Sequence, residues 1–209
     1  MFIIDFDDTL FDTQEFKQAM VKSLESVGVS RKLFWQTYIE ARMLVDGSLS
    51  YSFERHARIL EKQGFDYNEV LRNFNLINIK NFLFLDAIDF LESLKKMDQD
   101  LYLLSLGDEF FQKLKVGQCN IEKYFKKVFF LSKNKELAVK EILDENSDSN
   151  IFFINDKIEE NLKIKNDFPE IEIILRQSSN IPDEEYKSSG IIYFQNLTEI
   201  KKYVTDKLK

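Results

Sequence analysis

Met1-Phe-Ile-Ile-Asp5-Phe-Asp7-Asp8-Thr9-Leu10-Phe11-Asp12 runs a short apolar segment directly into a turn bearing three carboxylates and a hydroxyl within five positions. Phe2, Ile3 and Ile4 make a continuous aromatic and β-branched run of the kind a strand buried on both faces requires. This predicts Asp5 at the carboxyl end of a parallel strand, where open α/β sheets collect their ligands. Clustered carboxylates there repel one another unless a cation or a proton intervenes. Asp and Thr are also good helix caps, and a strand followed by an Asp-rich helix cap is how most such strings in isolation should be read. The remainder of the chain has to decide.

With 209 residues the chain can bury roughly 70% of its unfolded surface. A hydrophobic content of 44% with twenty Phe places it with globular rather than disordered proteins. No apolar run reaches membrane-spanning length, and Asp5 interrupts the opening segment before it could act as a signal peptide. A soluble, cytoplasmic protein without a membrane partner is expected. One cysteine, Cys119, excludes an internal disulfide framework, and the single His56 excludes a histidine-rich metal site. His56 reads as an ordinary surface or half-buried ring. A net charge of −7 argues against binding a nucleic-acid backbone, and the lysines between 123 and 140 read mostly as solvated faces. Oligomeric state is not legible.

From Thr13 to about Asn81 the pattern is helical, with segments Gln14 to Val27, Arg31 to Val45, Tyr51 to Gln63 and Tyr67 to Asn75, punctuated by Gly28, Gly47 and Gly64. From about Leu85 helices and strands alternate. Strands are expected at Leu101 to Ser105, Val128 to Leu131, Ile151 to Ile154, Ile171 to Leu175 and Ile191 to Phe194. Helices are expected at Ala87 to Met97, Glu109 to Val116, Lys135 to Leu143, Glu159 to Asp167 and Leu197 to Leu208. Such alternation argues for a mainly parallel sheet wrapped by helices, an α/β, Rossmann-like three-layer core that the first strand joins. An all-helical insert, residues 13–82, would then interrupt a core made of residues 1–12 and 83–209.

Asp5-Phe6-Asp7-Asp8-Thr9-Leu10 resembles, residue by residue, the first motif of the haloacid dehalogenase superfamily, a hydrophobic strand followed by Asp-x-Asp-x-Thr-Leu. Ser105-Leu106-Gly107-Asp108, after the strand from Leu101, resembles the second motif, whose hydroxyl and following backbone N–H groups cradle a phosphate. Lys135 is the best match to the third motif, a lysine near a helix start, with Asn134 as a cap; Lys133 and Lys127 compete with it. Asn155-Asp156 with Glu160 resembles the fourth, metal-binding motif. Asn155 stands where Asp or Gly is more usual, and Glu160 where Asp is common. Asp5, Ser105 and Asp156 each end a different expected strand, the placement that brings distant residues together in such a sheet.

The resemblance implies a helical cap over the site, and a phosphatase in which Asp5 is the nucleophile and Asp7 the general acid and base. Ser105 and Lys135 would bind phosphate. Mg2+ would be held by Asp5, Asp156 and the backbone carbonyl of Asp7, with Thr9, Asn155 and Glu160 supporting these ligands from outside. An acid two residues after the nucleophile favours phosphate esters over haloacids. The expected activity is hydrolysis of a small phosphorylated metabolite; a sugar phosphomutase and a non-catalytic binding module are the alternatives. Arg42, Arg55, His56 and Arg58 are candidates to meet an anionic substrate from the insert, and the turn Asp46-Gly47-Ser48 is a candidate loop facing the site.

Overall fold

The structure, a computed structural model, describes residues 1–43, 50–146 and 150–209. Six strands, β1 (Phe2–Asp5), β2 (Leu101–Leu106), β3 (Lys127–Leu131), β4 (Phe152–Asn155), β5 (Glu172–Arg176) and β6 (Ile192–Phe194), form one sheet in the order β3-β2-β1-β4-β5-β6. Every pairing is parallel. The order reverses beside β1, so the carboxyl ends of β1, β2 and β4 surround the crevice where this topology binds ligands.

Period-two alternation along the strands divides the core into two faces. Phe2, Ile4, Leu101, Leu103, Phe152 and Ile154 point to one side, packing with helices α5 (Ala87–Lys96), α6 (Glu109–Cys119) and α10 (Leu197–Lys207). Ile3, Tyr102, Leu104, Phe153 and Leu175 point to the other, against α7 (Lys135–Asp144), α8 (Ile158–Asp167) and the short α9 (Asp183–Ser188). The expected α/β, three-layer architecture is therefore present. Helix α9, anchored by fully buried Tyr186, was not expected from the sequence: its six residues are too few to set up a helical period.

Between β1 and α5 lie α1 (Thr13–Glu25), α2 (Arg31–Arg42), α3 (Phe53–Glu61) and α4 (Tyr67–Asn75). Each starts at a side chain that satisfies an orphan N–H of its first turn: Asp12 to Glu15, Ser30 to Leu33, Ser52 to Arg55 and Asp66 to Glu69. Gly28 and Gly64 follow α1 and α3 at φ +87° and +93°, the left-handed backbone that glycine enters without strain. Helix α2 ends at Arg42 rather than Val45, because Met43 is extended; residues 44–49, including the turn Asp46-Gly47-Ser48, lie outside the described residues. The hydrophobic core is continuous from the sheet into these helices, through Phe11, Phe16, Phe53 and Phe111.

His56 is fully buried, not the surface or half-buried ring expected. Thr37 Oγ1 lies 2.8 Å from its Nε2 and Tyr51 Oη 2.9 Å from its Nδ1. Phe34 and Phe74 stand within ring contact. Burial pushes its pKa down to about 3, so the ring is neutral and tethers α2 to α3.

Candidate active site

Asp5 closes β1 with its carboxylate buried. The Thr9 hydroxyl donates to Oδ2 at 3.1 Å, and the Lys135 ammonium donates to Oδ1 at 2.5 Å. Lys135 is 3% exposed. The same ammonium contacts Glu160 at 2.8 Å and Asn155 Oδ1 at 3.3 Å, and the Asn155 amide donates to Glu160 at 3.1 Å. Asp5, Thr9, Lys135, Asn155 and Glu160 are thus one network at the ends of β1 and β4 and the starts of α7 and α8. Lys127, a competitor for the lysine position, is exposed and paired with Glu141 and Glu145. Lys133 lines the cavity but is exposed. Asn134 does not cap α7 with its side chain as expected; its backbone is left-handed, at φ 55°, which turns β3 sharply into the helix and carries Lys135 inward.

Asp7 is held differently. Its carboxylate accepts from Thr13 Oγ1 at 2.7 Å, Gln112 Nε2 at 2.9 Å and Lys115 Nζ at 2.5 Å. Burial works against the charge, but the Lys115 ammonium and these donors outweigh it, so the Asp7 pKa is lowered. The turn that aims Asp7 depends on Asp8, which adopts φ 58°. The Asp8 carboxylate accepts from Thr13 N–H and Gln14, and its carbonyl accepts from Arg176 at 3.1 Å. Gly107, at φ +148°, lies where a Cβ would stand 2.6 Å from Gln112 Nε2; any side chain there would displace the amide that binds Asp7.

Gln112, Lys115 and Arg176 escaped sequence reasoning. For the first two a signal existed. Phe111, Gln112, Lys115, Val116 and Cys119 all fall on the buried face of α6, and a glutamine and a lysine inside an apolar stripe need partners. Lys115 lies among the rings of Phe6, Phe11 and Phe111. Replacing it by Met leaves Asp7 without its cation. Above the lowered Asp7 pKa this should destabilise the fold by about 3 kcal/mol, the low end for a broken buried pair because Asp7 keeps some solvent contact. Stability from a depressed carboxylate is present above its unfolded pKa and lost as pH falls through the folded one. The gap between wild type and Lys115→Met should therefore be full at pH 7 and shrink as pH drops below 4; urea denaturation at both pH values reads it.

Among the described residues four buried side-chain oxygens have no hydrogen-bond partner, Ser105 Oγ, Gln112 Oε1, Asp156 Oδ1 and Asn161 Oδ1; Ser105 and Asp156 are the two at the ends of β2 and β4, beside Asp5. Burial, then the charges of Asp5 and Asp8, push the Asp156 pKa up to about 8. Burial also raises Asp5, against the pull of Lys135. Asp5 and Asp156 thus disfavour each other's ionised form, and the unpartnered oxygens of Asp156 and Ser105 suit a hard cation and a phosphate. Among the described residues no group of three acidic, imidazole or thiol side chains could hold an ion by itself.

Asp5, Asp7 and Asp156 open onto a cavity of about 660 Å³, within the range of small-molecule sites. Its opposite wall comes from α1, α2 and the segment before α3, through residues including Lys17, Met20, Tyr38, Arg42 and Tyr51. Of the other expected substrate-facing residues, Arg55 instead donates to the carbonyls of Ala41 and Ser50 and approaches Asp108. Arg58 pairs with Glu61 and lies over Tyr67, and His56 is taken up by Thr37 and Tyr51. Asp108 caps α6 through Phe111 N–H and accepts from Ser50, joining the turn after β2 to the helical insert. Among the described residues no helix is long and apolar enough to cross a membrane.

A family model for haloacid dehalogenase-like hydrolases matches residues 1–159. No curated protein matches the sequence. Among solved structures, a candidate haloacid dehalogenase-like hydrolase from Burkholderia xenovorans is similar with TM-score 0.78 at 15% identity, over 100% of this chain and 97% of the other. A candidate phosphatase from Clostridium difficile gives 0.66 at 20%, over 97% and 96%. A magnesium-bound candidate hydrolase of the superfamily, YfnB from Bacillus subtilis, gives 0.59 at 16%, also over 97% and 96%. At these identities the likeness is one of fold.

Proposed function

The chain belongs to the haloacid dehalogenase-like hydrolases, and on that footing we propose that it is a magnesium-dependent phosphomonoesterase acting on a small phosphorylated metabolite through Asp5. The observation that carries this reading is the buried Lys135 ammonium 2.5 Å from Asp5, beside the unpartnered Ser105 Oγ and Asp156 Oδ1 and facing a cavity of metabolite size. Lys135 favours the ionised nucleophile, and with Ser105 it would bind the transferring oxygens as charge develops on them. An Asp5 oxygen attacks phosphorus, the ester P–O bond breaks, and the leaving oxygen keeps the electron pair and takes a proton from Asp7. Asp7 then removes a proton from water, whose oxygen displaces Asp5 and releases inorganic phosphate.

In the free site Lys115 holds Asp7 ionised, the form needed for the second step. A phosphate dianion set against Asp7 raises its affinity for a proton, opposing Lys115, and so prepares the first. Mg2+, held by Asp5, Asp156 and the Asp7 carbonyl, would offset the repulsion between carboxylate and phosphate. Asn155 and Glu160 would fix those ligands indirectly, through Lys135. The insert 13–82 would act as the cap that shuts bulk water out of the cavity.

The test is phosphate release by the purified protein, with Mg2+ and with EDTA, over phosphorylated sugars, nucleotides and small acids. Metal-dependent release supports the phosphatase. Formation of an isomeric phosphate without release would replace it by a mutase. A folded protein that neither turns over any ester nor gains thermal stability from Mg2+ would leave the non-catalytic module.

A further inference from the structure

Lys17 on α1 and Arg42 at the end of α2 line the wall of the cavity opposite Asp5. Among the described residues neither has a carboxylate within 4.0 Å. Among the described residues Lys17 makes one hydrogen bond, a long one of 3.4 Å to Gln14 Oε1, and Arg42 lies 5.6 Å from the centre of the Tyr38 ring. Both side chains are half-buried. The other basic side chains close to the reacting groups are committed: Lys115 to Asp7, Lys135 to Asp5 and Glu160, Lys157 to Glu160. Burial weakens the hold of Lys17 on its proton; Asp8 and Asp7 oppose this at a distance, while Arg42 and Lys115 add to it. Two cations that share a half-enclosed wall with no carboxylate in contact repel each other, and an anion placed between them relieves that repulsion.

We infer that Lys17 and Arg42 form a second anion subsite, so that the substrate is a phosphomonoester bearing a further anionic group, a carboxylate or a second phosphate, at the end remote from the scissile ester. This deepens the phosphomonoesterase reading and rests on it. The phosphoryl group sits on Asp5, and the chain of the substrate crosses the cavity to the opposite wall. Arg42 offers a planar fork suited to either oxyanion, and Lys17 a point charge. A substrate with a neutral remote end would leave both cations unpaired and forfeit their contribution.

Matched pairs of substrates provide the test. In 3-phosphoglycerate a carboxylate replaces the terminal hydroxymethyl of glycerol 3-phosphate; fructose 1,6-bisphosphate adds a phosphate to fructose 6-phosphate. For wild type, kcat/KM for at least one anionic member should exceed that of its partner by about 10- to 100-fold, as charge-assisted hydrogen bonds warrant. The pair that discriminates tells carboxylate from phosphate. In Lys17→Met and Arg42→Met that ratio should fall towards one, chiefly through KM. The inference is overturned if wild type does not discriminate within either pair, or if both variants keep the ratio. Calorimetric binding of the same four compounds to the Asp5→Asn protein reads the preference without turnover. Absence of hydrolysis therefore counts against the phosphatase while the subsite is still judged, and equal binding within both pairs would overturn the subsite alone.

Discussion

An Asp5→Asn variant should fold normally and release no phosphate above background, a loss of about 10⁵-fold or more in kcat, as expected when the nucleophile of a covalent mechanism is removed. The amide has nearly the shape of the carboxylate: its oxygen can accept from Lys135 while its NH2 donates to Thr9 Oγ1, which can accept. Lys135 keeps Glu160 at 2.8 Å and Asn155 at 3.3 Å, so the buried ammonium is not abandoned. Burial already raises the Asp5 pKa in the free protein, which means that its charge is a burden on folding. A neutral residue there should leave the melting temperature equal or higher. Stability retained with activity lost separates a chemical role from a structural one. Wild-type turnover in a folded Asp5→Asn protein would end the phosphoaspartate mechanism.

The parts of this architecture legible in the sequence are those written locally. Phe2-Ile3-Ile4 can only be a strand buried on both faces, and Leu101, Val128, Ile151 and Ile171 begin similar runs separated by helical lengths, so a parallel sheet followed. Asp5, Ser105 and Asp156 were each expected at the end of a strand or just past it, and β1, β2 and β4, which carry them there, are neighbours in the sheet. Lys135 was the best match of the three lysines, but for a different reason from the one the structure gives: the Asn134 side chain does not cap α7, and it is its left-handed backbone, which neighbouring side chains do not announce, that turns Lys135 inward. His56 was misplaced because its burial comes from α2 docking on α3, with Thr37 and Tyr51 meeting both ring nitrogens. Lys115 and Arg176 reach the first loop from 108 and 168 residues away. No local pattern encodes such distances, although a lysine on the apolar face of α6 was a visible mismatch. The insert was legible as helices, from its caps and glycines, but its cavity-facing residues were not, because Arg55 and Arg58 look no different from Arg42 until the helices pack.

Asp156 gives the second large effect, which can be read as stability as well as rate. Its buried Oδ1 has no partner, and its pKa, raised from 3.8 to about 8, lies above the unfolded value. The folded protein therefore holds a proton that the unfolded chain has released between those two values. The sign follows: this group's contribution to stability is most favourable below pH 4, declines as pH rises from 4 to 8, and is at its worst above 8. A divalent cation bound there should reverse the trend, since it prefers the ionised carboxylate. Mg2+ should thus raise the melting temperature more at pH 8.5 than at pH 6. At a hundred times its dissociation constant it should add about 2.7 kcal/mol, or roughly 5–10 °C for a chain of this size. In Asp156→Asn, neutral at every pH, the metal-free protein should be more stable than wild type at pH 8.5 and gain little from Mg2+. Its turnover should fall by about 10²- to 10⁴-fold, the scale of several kcal/mol of charge stabilisation. Differential scanning fluorimetry at the two pH values, with and without Mg2+, checks the linkage without any substrate. If wild type and Asp156→Asn gain equally from the ion at both, the metal sits elsewhere, and Asp156 is a buried acid that simply keeps its proton.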